Sequence, residues 1–310
     1  MLRVAVVGAG YLGRFHAQKY ASMDGVQLVG VVDPDPRARD SLAAELDCAA
    51  LADHREILGK VDAASVVTPT PHHRRVAGDL LEAGAHVLVE KPITVTVQEA
   101  RELIELAASR GRVLQVGHLE RFNPAMLAAR ERLRAPRFIE STRLAPFKAR
   151  GTDVSVILDL MIHDIDLVLD MVRSPLESID AVGAPVFTAE SDIANARLRF
   201  ANGCVADVTA SRISMKAERK LRVFQADTYL SIDLQQKLLT EVRKVGVSEA
   251  DGKPSVDLKE SRFDQGDALL EEIKAFVRCI EEGLPPPVTG EDGLRALETA
   301  ERITRLLGAP

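Results

Sequence analysis

Residues 3–13, RVAVVGAGYLG, join a short apolar run to a glycine-rich turn and the start of a helical pattern. The turn fits the GxGxxG pattern of dinucleotide-binding folds, in which the first glycine permits a tight turn and the second admits a pyrophosphate. The third glycine lets the helix pack closely on the strand, and N–H groups at the helix start attract phosphate. The residues predicted to contact a dinucleotide are Gly8, Gly10, Tyr11, Leu12 and Gly13.

Asp33 follows the second apolar run, residues 26–32, and lies twenty residues after the last glycine of the turn. A carboxylate at this place accepts hydrogen bonds from the adenosine ribose but repels a 2′-phosphate. Two unit charges about 4 Å apart at an effective dielectric of about 20 repel by on the order of 4 kcal/mol. The sequence therefore favours NAD over NADP, although Arg37 and Arg39 weaken that preference. The alternative is that Asp33 is an ordinary turn residue before Pro34.

Composition excludes several classes of protein. The 310 residues are 46% hydrophobic and 28% charged with a net charge of −6, which is typical of a soluble protein with buried cores. Charges of both signs are interspersed, so no nucleic-acid partner is predicted. Cys48, Cys204 and Cys279 lack metal-ligand spacing, so we assign no metal and expect core thiols in a reducing compartment. No apolar stretch reaches the roughly 18 residues of a membrane span, and a strand follows Met1 directly, so we expect a cytoplasmic protein without a membrane partner.

Strand-like and helix-like segments alternate up to about residue 117. Short strands rich in valine and leucine are typical of a sheet that helices cover on both faces. We therefore predict an α/β Rossmann domain, with a doubly wound parallel sheet, over residues 1–120. The predicted strands are 3–7, 27–32, 48–50, 62–67, 86–90 and 112–116, and the predicted helices are 12–22, 35–46, 54–59, 72–83 and 96–109.

The second part of the chain predicts an α+β domain with an open, mostly antiparallel sheet over residues 121–310, with its last helices free to pack on the first domain. An open sheet with helices on one face leaves an apolar face uncovered, so we expect a homodimer or homotetramer formed through it. Residues 245–262 are polar and predict a mobile loop. The predicted helices are 125–134, 153–172, 265–282 and 290–307, and the predicted strands are 177–187, 193–200, 203–212, 218–227, 229–233 and 236–244.

Ligands of an open α/β sheet bind beyond the carboxyl ends of its strands. Lysine is rare at the end of a buried strand unless its ammonium meets a ligand or a carboxylate. Lys91 is therefore a candidate to contact both the nicotinamide and a substrate hydroxyl, the alternative being a surface lysine in a loop. For Thr68 and His73 the alternatives are a helix cap and a core histidine. The residues predicted at this edge are Thr68, Pro69, His73, Glu90, Lys91, Gln115 and His118.

The predicted helix 153–172 carries a polar strip about 60° wide between apolar flanks. The strip consists of Asp159, His163, Asp166 and Asp170, and the predicted core stripe consists of Val154, Ile157, Leu158, Met161, Ile165, Leu169 and Val172. A narrow strip of this kind indicates a helix that lines a polar cleft, the alternative being an ordinary exposed face. Asp159 lies four residues before His163 and can fix its tautomer and favour its protonated form, as an acid/base residue requires.

These motifs together resemble the glucose–fructose oxidoreductase / inositol dehydrogenase / MocA family over almost the whole chain. The matching stretches are GAGYLGRFHA (8–17), TPTPHH (68–73), VEKPIT (89–94), VGHLERFNP (116–124) and DLMIHDIDL (159–167). The resemblance implies NAD(P), hydride transfer at a sugar or polyol carbon, and an active site between the two domains. It also implies that Lys91 contacts nicotinamide and substrate and that His163 accepts the proton beside Asp159. The TPxxxH pattern falls on Thr68, Pro69 and His73, which leaves His72 as the extra histidine.

The sequences of residues 116–124 and 211–224 most resemble the branch of the family that acts on UDP-N-acetyl sugars. The resemblance implies oxidation of the 3-hydroxyl of a UDP-N-acetylhexosamine such as UDP-GlcNAc in lipid A precursor synthesis, with a downstream aminotransferase as a further partner. It adds His118, Arg121 and Asn123 as predicted substrate contacts. Alternatives are a free-sugar or cyclitol dehydrogenase, an NAD-dependent glycosidase, and a non-catalytic NAD-binding sensor. Basic residues available for a pyrophosphate are Arg121, Lys148, Arg150, Arg212, Lys216, Arg219 and Lys220, each of which has a solvated surface charge as its alternative.

Overall fold

The computed structural model describes residues 1–148, 154–247 and 253–308. By its internal contacts the chain divides into two compact units. The first unit contains residues 1–119 and 269–297, and the second contains residues 120–268 and 298–310. The predicted domain boundary follows residue 120. Residues 269–297 were predicted within the second domain, with its last helices free to pack on the first, and they belong to the first unit.

The strands are β1 (Leu2–Val7), β2 (Val26–Val32), β3 (Ala49–Leu51), β4 (Ala63–Val66), β5 (His86–Glu90), β6 (Leu114–Gly117), β7 (Phe138–Leu144), β8 (Leu176–Ala184), β9 (Ile193–Phe200), β10 (Val205–Ser211), β11 (Glu218–Phe224), β12 (Thr228–Asp233), β13 (Leu238–Val247) and β14 (Pro254–Arg262). The α-helices are α1 (Tyr11–Ala21), α2 (Pro36–Leu46), α3 (His73–Glu82), α4 (Val97–Arg110), α5 (Pro124–Arg130), α6 (Ile162–Val172), α7 (Ala268–Glu282) and α8 (Gly290–Leu306). Short 3₁₀ segments lie at 54–57, 70–72 and 119–122, and a π-helical turn at 157–161 precedes α6.

The first unit is a six-stranded parallel sheet in the order β3-β2-β1-β4-β5-β6. This confirms the predicted doubly wound sheet, and the central strands β1 and β4 are apolar and buried, as a sheet covered on both faces requires. Local signals fix the helix ends. Thr96 and Glu99 form a capping box at the start of α4, and Gly111 ends that helix in the left-handed conformation.

The second unit is an eight-stranded sheet in the order β14-β13-β12-β11-β7-β10-β9-β8. Every neighbouring pair is antiparallel except β7 and β10, so the prediction of a mostly antiparallel sheet is confirmed. Helices α5 and α6 contact one face of the sheet. Buried side chains such as Ile139, Leu221 and Val223 alternate along the strands and form the core beneath these helices.

The opposite face of this sheet is not the apolar surface that we expected. Arg197 Nη1 lies 2.8 Å from an Asp207 oxygen, and Arg222 Nη1 donates to Glu140 at 3.3 Å. These four residues stand in one row across β9, β10, β7 and β11. This row of four side chains is therefore polar, and pairing between strands satisfies its charges. An aromatic row at one end consists of Phe138, Phe224 and Tyr229.

Two strands differ from the sequence-based expectation. No strand was predicted over β7, because two of its three buried residues, Ser141 and Arg143, are polar and hide the usual alternation. The mobile loop predicted at 245–262 is wrong where the structure describes it, because β14 pairs with β13 along its length. Strand β14 is almost wholly exposed, so it lacks any apolar pattern. Residues 248–252 of that predicted loop lie outside the described residues.

No helix among the described residues is both long enough and apolar enough to cross a membrane. The three cysteines are free thiols, with Cys204 and Cys279 buried and Cys48 partly buried. Burial raises the pKa of the Cys204 thiol to about 11, as expected for a core residue rather than a nucleophile.

Candidate active site

The glycine turn between β1 and α1 has the geometry that a dinucleotide requires. Gly8 has a φ of +105°, and a Cβ on it would lie 2.6 Å from the carbonyl oxygen of Val67. A Cβ on Gly13 would lie 1.8 Å from the carbonyl oxygen of Gly8, so only glycine lets α1 approach β1 this closely. A Cβ on Gly10 would meet nothing within 4 Å, which leaves open space where a pyrophosphate approaches backbone.

The start of α1 is also suited to an anion. Gly10 is the N-cap of α1 and offers no side chain to the first N–H groups of the helix. The predicted contact residue Tyr11 is exposed, with 70% of its surface accessible, and Leu12 is partly exposed. A helix N-terminus without a side-chain cap presents its N–H groups and the positive end of its dipole to a phosphate. The residues present therefore fit a dinucleotide.

Asp33 at the end of β2 is fixed by backbone donors. Its Oδ2 accepts a hydrogen bond from Ala9 N at 2.7 Å, and its Oδ1 accepts one from Asp35 N at 2.9 Å. The first of these bonds ties the carboxylate to the glycine turn. Arg39 donates to the backbone oxygen of Asp33 at 3.3 Å and also lies beside Asp40, so its charge is partly compensated.

His73 connects two of the loops that follow strands. Its Nε2 lies 2.8 Å from Thr68 O and its Nδ1 lies 2.9 Å from Pro92 O, and the ring is buried. Burial lowers the pKa of His73, although the two carbonyl groups act in the opposite direction. Both ring nitrogens are thus engaged with backbone, and a direct contact with the cofactor stays a prediction. Thr68 Oγ1 is buried without a hydrogen-bond partner, and Pro69 is exposed.

Glu90 and Lys91 end β5 as predicted. Lys91 is partly exposed, and its backbone N–H donates to Glu90 Oε2 at 3.3 Å. Glu90 Oε1 lies 3.2 Å from Nε2 of His16, a fully buried residue that the sequence analysis did not single out. The available signal was a histidine three residues after the last glycine of the turn, on the side of α1 that faces the sheet.

Two further predicted residues of the first unit lie in the interior. Gln115 on β6 is fully buried, and its Nε2 donates to the backbone oxygen of Glu272 on α7 at 3.1 Å. This hydrogen bond attaches β6 to α7 and gives Gln115 a structural role. A role in cofactor binding stays a prediction. His118, directly after β6, is 1% exposed.

Arg121 and Asn123, predicted as substrate contacts, form bonds within the second unit. The guanidinium of Arg121 makes two hydrogen bonds to Asp166, at 2.7 and 2.6 Å, and is 4% exposed. Asn123 caps α5 through Ala125 N and donates to Leu234 O at 2.9 Å. These bonds give both residues a structural role, and their contact with substrate stays a prediction.

The helix predicted at 153–172 is interrupted by the π-helical turn at 157–161, so a constant 100° per residue does not hold there. Asp159 lies in this turn, His163 lies in the first turn of α6, and both are partly exposed. Two members of the predicted polar strip form ion pairs, Asp166 with Arg121 and Asp170 with Arg130. A narrow polar strip between apolar flanks is also what buried ion pairs produce.

The predicted core stripe of this helix is only partly correct. Ile157, Met161, Ile165 and Val172 are buried, whereas Val154 is exposed. Leu158 and Leu169 are partly exposed, and Asp153 lies outside the described residues. The flanking residues Ile162, Leu167 and Met171 are buried as well, so α6 is covered on most sides rather than on one stripe.

The basic residues suggested for a pyrophosphate divide into two groups. Arg212 is buried against Asp192 at 2.8 Å, so it serves the fold. Burial alone would raise the pKa of Asp192, but Arg212 and three backbone N–H groups hold that pKa below its usual range. Arg150 lies outside the described residues. Arg121 is likewise buried, against Asp166. The remaining residues are exposed or partly exposed: Lys148, Lys216, Arg219 and Lys220.

Two protein-family models match this chain. A family model described as an oxidoreductase family with an NAD-binding Rossmann fold matches residues 2–118, and a GFO/IDH/MocA C-terminal domain model matches residues 129–228. The chain belongs to the GFO/IDH/MocA family. This confirms the predicted family, and with it the predicted class of NAD(P)-dependent dehydrogenase.

Members of the GFO/IDH/MocA family with assigned activities include two relatives of different specificity. The UDP-N-acetylglucosamine 3-dehydrogenase of Acidithiobacillus ferrooxidans is 40% identical over 303 residues, covering 97% of this chain and 96% of the relative. The scyllo-inositol 2-dehydrogenase (NAD(+)) of Bacillus subtilis is 27% identical over 323 residues, covering 98% and 93%. A solved structure of UDP-N-acetylglucosamine 3-dehydrogenase from Acidithiobacillus ferrooxidans superposes with a TM-score of 0.93 at 39% identity, covering 99% of this chain and 97% of that one.

Proposed function

We propose that this dehydrogenase oxidises the 3-hydroxyl of a UDP-N-acetylhexosamine such as UDP-N-acetylglucosamine, with NAD as hydride acceptor. The observation that carries the proposal is the 40% identity, over nearly the full length of both chains, to a UDP-N-acetylglucosamine 3-dehydrogenase. The glycine turn, Asp33, Lys91 and His163 supply the cofactor site and the polar groups that such a reaction needs.

His163 is the general base of the proposed reaction. It removes the proton of the substrate hydroxyl while the carbinol C–H bond breaks and the carbon becomes a carbonyl. Bound NAD supplies the acceptor for the hydride that leaves this carbon. Lys91 donates a hydrogen bond to the same oxygen and stabilises the alkoxide that develops on it, and Asp159 orients the imidazole.

The predicted substrate contacts have unequal support. His118, Lys91, Asp159 and His163 are proposed to touch the substrate. Arg121 supports the site through Asp166, which lies three residues after His163 on α6, so the ion pair fixes the helix that carries the base. Asn123 supports it through the cap of α5.

NAD is the proposed cofactor rather than NADP, because the Asp33 carboxylate is held in place by Ala9 N and Asp35 N. A fixed carboxylate suits the two ribose hydroxyls and repels a 2′-phosphate. Titration of the protein with each dinucleotide tests this step. We expect tighter binding of NAD, and we expect Asp33→Ala to narrow the difference. Tighter binding of NADP to the unchanged protein would contradict the assignment.

The substrate class is tested with a panel of UDP-sugars, nucleotide-free sugars and inositols, in which absorbance reports NADH. We expect turnover of UDP-N-acetylhexosamines. The similarity to the Bacillus subtilis scyllo-inositol 2-dehydrogenase favours a cyclitol as the second candidate substrate. Turnover of inositols alone would replace the proposed substrate with the second one.

The catalytic assignment is tested with His163→Ala. A positioned base contributes about 10²–10⁴ in rate, so we expect kcat to fall by about that factor while NAD affinity is kept. The matched control is His72→Ala, which removes an exposed histidine beside the cofactor loop. Unchanged turnover in the His163 variant, or an equal loss in the control, would remove His163 from the mechanism.

A second copy of the chain is proposed to cover the open face of the eight-stranded sheet, giving a homodimer or a homotetramer. The aromatic row of Phe138, Phe224 and Tyr229 supplies the apolar part of that surface, with Phe138 and Phe224 ring centroids 5.7 Å apart. Light scattering after size exclusion measures the mass, and Phe224→Asp is expected to shift it toward the monomer.

A 3-keto sugar nucleotide is a substrate for transamination, so an aminotransferase is the proposed consumer of the product.

A further inference from the structure

The first unit contains a buried chain of polar side chains that ends at the carboxyl end of β5. His16 Nδ1 lies 3.2 Å from Ser65 Oγ, and His16 Nε2 lies 3.2 Å from Glu90 Oε1. Tyr20 Oη lies 2.9 Å from the same Ser65 Oγ. Tyr20, Ser65 and His16 are each fully buried, so water does not compete for these contacts.

Glu272 on α7 is the second carboxyl group of this cluster. Its side chain is fully buried, and neither carboxyl oxygen has a hydrogen-bond partner. Ligand atoms of His16, Glu90 and Glu272 all lie within 4.8 Å of one another. The cluster therefore holds two glutamates, one imidazole and the phenol of Tyr20, and only Glu90 among them is partly exposed.

The surroundings of Glu272 favour its neutral form over the ionised one. An ionised carboxylate that is buried without a donor loses its hydration and gains nothing in return. Burial first, and the charge of Glu90 second, raise the pKa of Glu272 well above its usual value. The phenol of Tyr20 also stays neutral, because burial raises its pKa. A proton is therefore expected on Glu272.

A bound metal ion would also neutralise the two carboxylates, and it requires a nitrogen without hydrogen on His16. An imidazole nitrogen 3.2 Å from a carboxylate oxygen attracts it only when the nitrogen carries hydrogen. A protonated His16 Nε2 has no lone pair for a metal. A His16 that carries hydrogen on Nε2 donates to an ionised Glu90 and does not ligate a metal, so the metal content of the purified protein decides between a proton and an ion.

Glu90 connects this cluster to Lys91. Its Oε1 faces His16, and its Oε2 accepts the backbone N–H of Lys91 at 3.3 Å. A Cβ on Gly117 would lie 2.8 Å from the Glu90 carboxyl atoms, so the carboxylate lies directly against the backbone of β6. These contacts leave Glu90 little freedom to move.

We propose that Glu272 is held as a neutral carboxylic acid, so that Glu90 carries the cluster's single carboxylate charge and acts as the positioning residue for Lys91. The catalytic part of this inference rests on the proposed function, in which Lys91 contacts the substrate hydroxyl. The protonation of Glu272 does not, because it follows from the interior of the first unit alone.

Infrared spectroscopy of the full-length, NAD-free protein tests the protonation directly. At neutral pH the unchanged protein is expected to show the C=O stretch of a protonated carboxylic acid, which shifts in deuterium oxide and is missing in Glu272→Gln. The matched control is Glu271→Gln, which removes an exposed carboxylate paired with Lys274 on the same helix and is expected to leave the band intact. Absence of the band from the unchanged protein, or its persistence in Glu272→Gln, would overturn the proposal.

Stability and metal content give a second measurement. A neutral amide replaces a neutral acid in Glu272→Gln, so its urea midpoint is expected to match that of Glu271→Gln. A markedly higher midpoint would show that an ionised, repelled carboxylate had been removed. One equivalent of a metal ion in protein purified without chelator would also overturn the proposal. If Glu272→Gln does not fold, carboxyl carbon chemical shifts of glutamate-labelled unchanged protein, followed against pH, report whether a buried glutamate stays protonated.

The positioning role is measured with Glu90→Gln. Misplacement of a catalytic group costs up to about 100-fold, so we expect kcat to fall about 10- to 100-fold with little change in the KM for NAD. Equal loss of kcat and of NAD affinity would indicate general damage to the site and overturn the positioning role. A protonated Glu272 in a protein that turns over no UDP-sugar would contradict the proposed function alone, whereas turnover without the infrared band would contradict this inference alone.

Discussion

Arg121, Arg143 and Arg212 of the second unit each lie against a buried aspartate, whereas Glu272 of the first unit has no hydrogen-bond partner for either oxygen. Arg143 shows the first pattern most fully, because its guanidinium meets Asp164 at 2.6 Å and Glu120 at 3.0 Å. These buried arginines of the second unit thus have carboxylate partners, whereas Glu272 of the first unit lies without a hydrogen bond close to Glu90, the residue before Lys91.

This difference shows what the buried polar groups of each unit do. Paired charges between a helix and a sheet fix one packing arrangement, and in the second unit they attach α6 to the structure around it. Unsatisfied or pKa-shifted groups cost stability and concentrate at functional sites. The first unit keeps such groups, together with the open space at Gly10, on the edge of the sheet where a dinucleotide fits.

The largest expected effect on stability is the loss of Arg143. Arg143→Ala leaves the carboxylate of Asp164 buried without its cation and removes the nearer of the two arginines that contact Glu120. Removal of one partner of a buried ion pair costs about 3–5 kcal/mol, so we expect the free energy of unfolding to fall by about that amount in urea.

Arg219 supplies the control for this comparison. It contacts the same Glu120 oxygen at 3.5 Å, but 54% of its side chain is exposed, against 4% for Arg143. An exposed pair contributes about 0–1 kcal/mol, so Arg219→Ala is expected to leave the urea midpoint nearly unchanged. Similar losses in the two variants would mean that burial does not set the value of these charges.

The glycine turn gives a matched pair of variants in the first unit. Gly13→Ala places a methyl group against the Gly8 carbonyl oxygen, and overpacking of this kind costs about 1–3 kcal/mol. Gly10→Ala meets no protein atom, and its φ of −70° suits alanine, so its stability should change by less than about 1 kcal/mol. Its methyl group occupies the space for the pyrophosphate, so we expect at least about tenfold weaker NAD binding.

Thermal shift with and without NAD separates the two glycine variants. Gly13→Ala is expected to lower the Tm of the protein without ligand. Gly10→Ala is expected to keep that Tm but to lose most of the rise that NAD causes, since a ligand stabilises according to its affinity. A full NAD-induced rise in Gly10→Ala would show that the open space is not used by the cofactor.

The two units also differ in how far their sheets could be predicted from the sequence. The sheet of the first unit was predictable because its strands are apolar on both faces and its turn needs glycine at fixed places. Strand β7 was not, since Ser141 and Arg143 are buried by pairing with groups distant in sequence. The uncovered sheet face was expected to be apolar because strand patterns do not show which charges pair across neighbouring strands.

The residues of the candidate site divide in the same way. Groups at strand ends, such as Asp33 and Lys91, were predictable because topology alone brings the carboxyl ends of parallel strands to one edge. His16 and Glu272 were missed because they are titratable residues inside apolar helix faces. Glu272 lies in the buried stripe of α7 between Leu269 and Phe276, and a carboxylate in an apolar stripe is the signal that would have identified it.

The smallest expected effect concerns His86, at the opposite end of β5 from Lys91. Its Nδ1 accepts a hydrogen bond from Val113 N at 2.9 Å, and Arg112 lies 3.3 Å from its Nε2. Burial first, and the charge of Arg112 second, lower the pKa of His86 from its ordinary value of 6.5. Folding therefore favours the neutral ring, in which Nδ1 accepts the hydrogen bond from Val113 N.

The sign of the pH effect follows from that lowered pKa. The stability that His86 contributes is complete above about pH 6.5, the pKa in the unfolded chain, and is lost as pH falls through the lower pKa of the folded protein. Because the ring is only half-buried, we expect a loss on the order of 0.5 kcal/mol between about pH 7.5 and 5. His86→Asn keeps an acceptor on Cγ for Val113 N but does not titrate, so its urea midpoint should fall less with acid than that of the unchanged protein. Parallel acid profiles for the two proteins would mean that folding does not hold the His86 ring neutral.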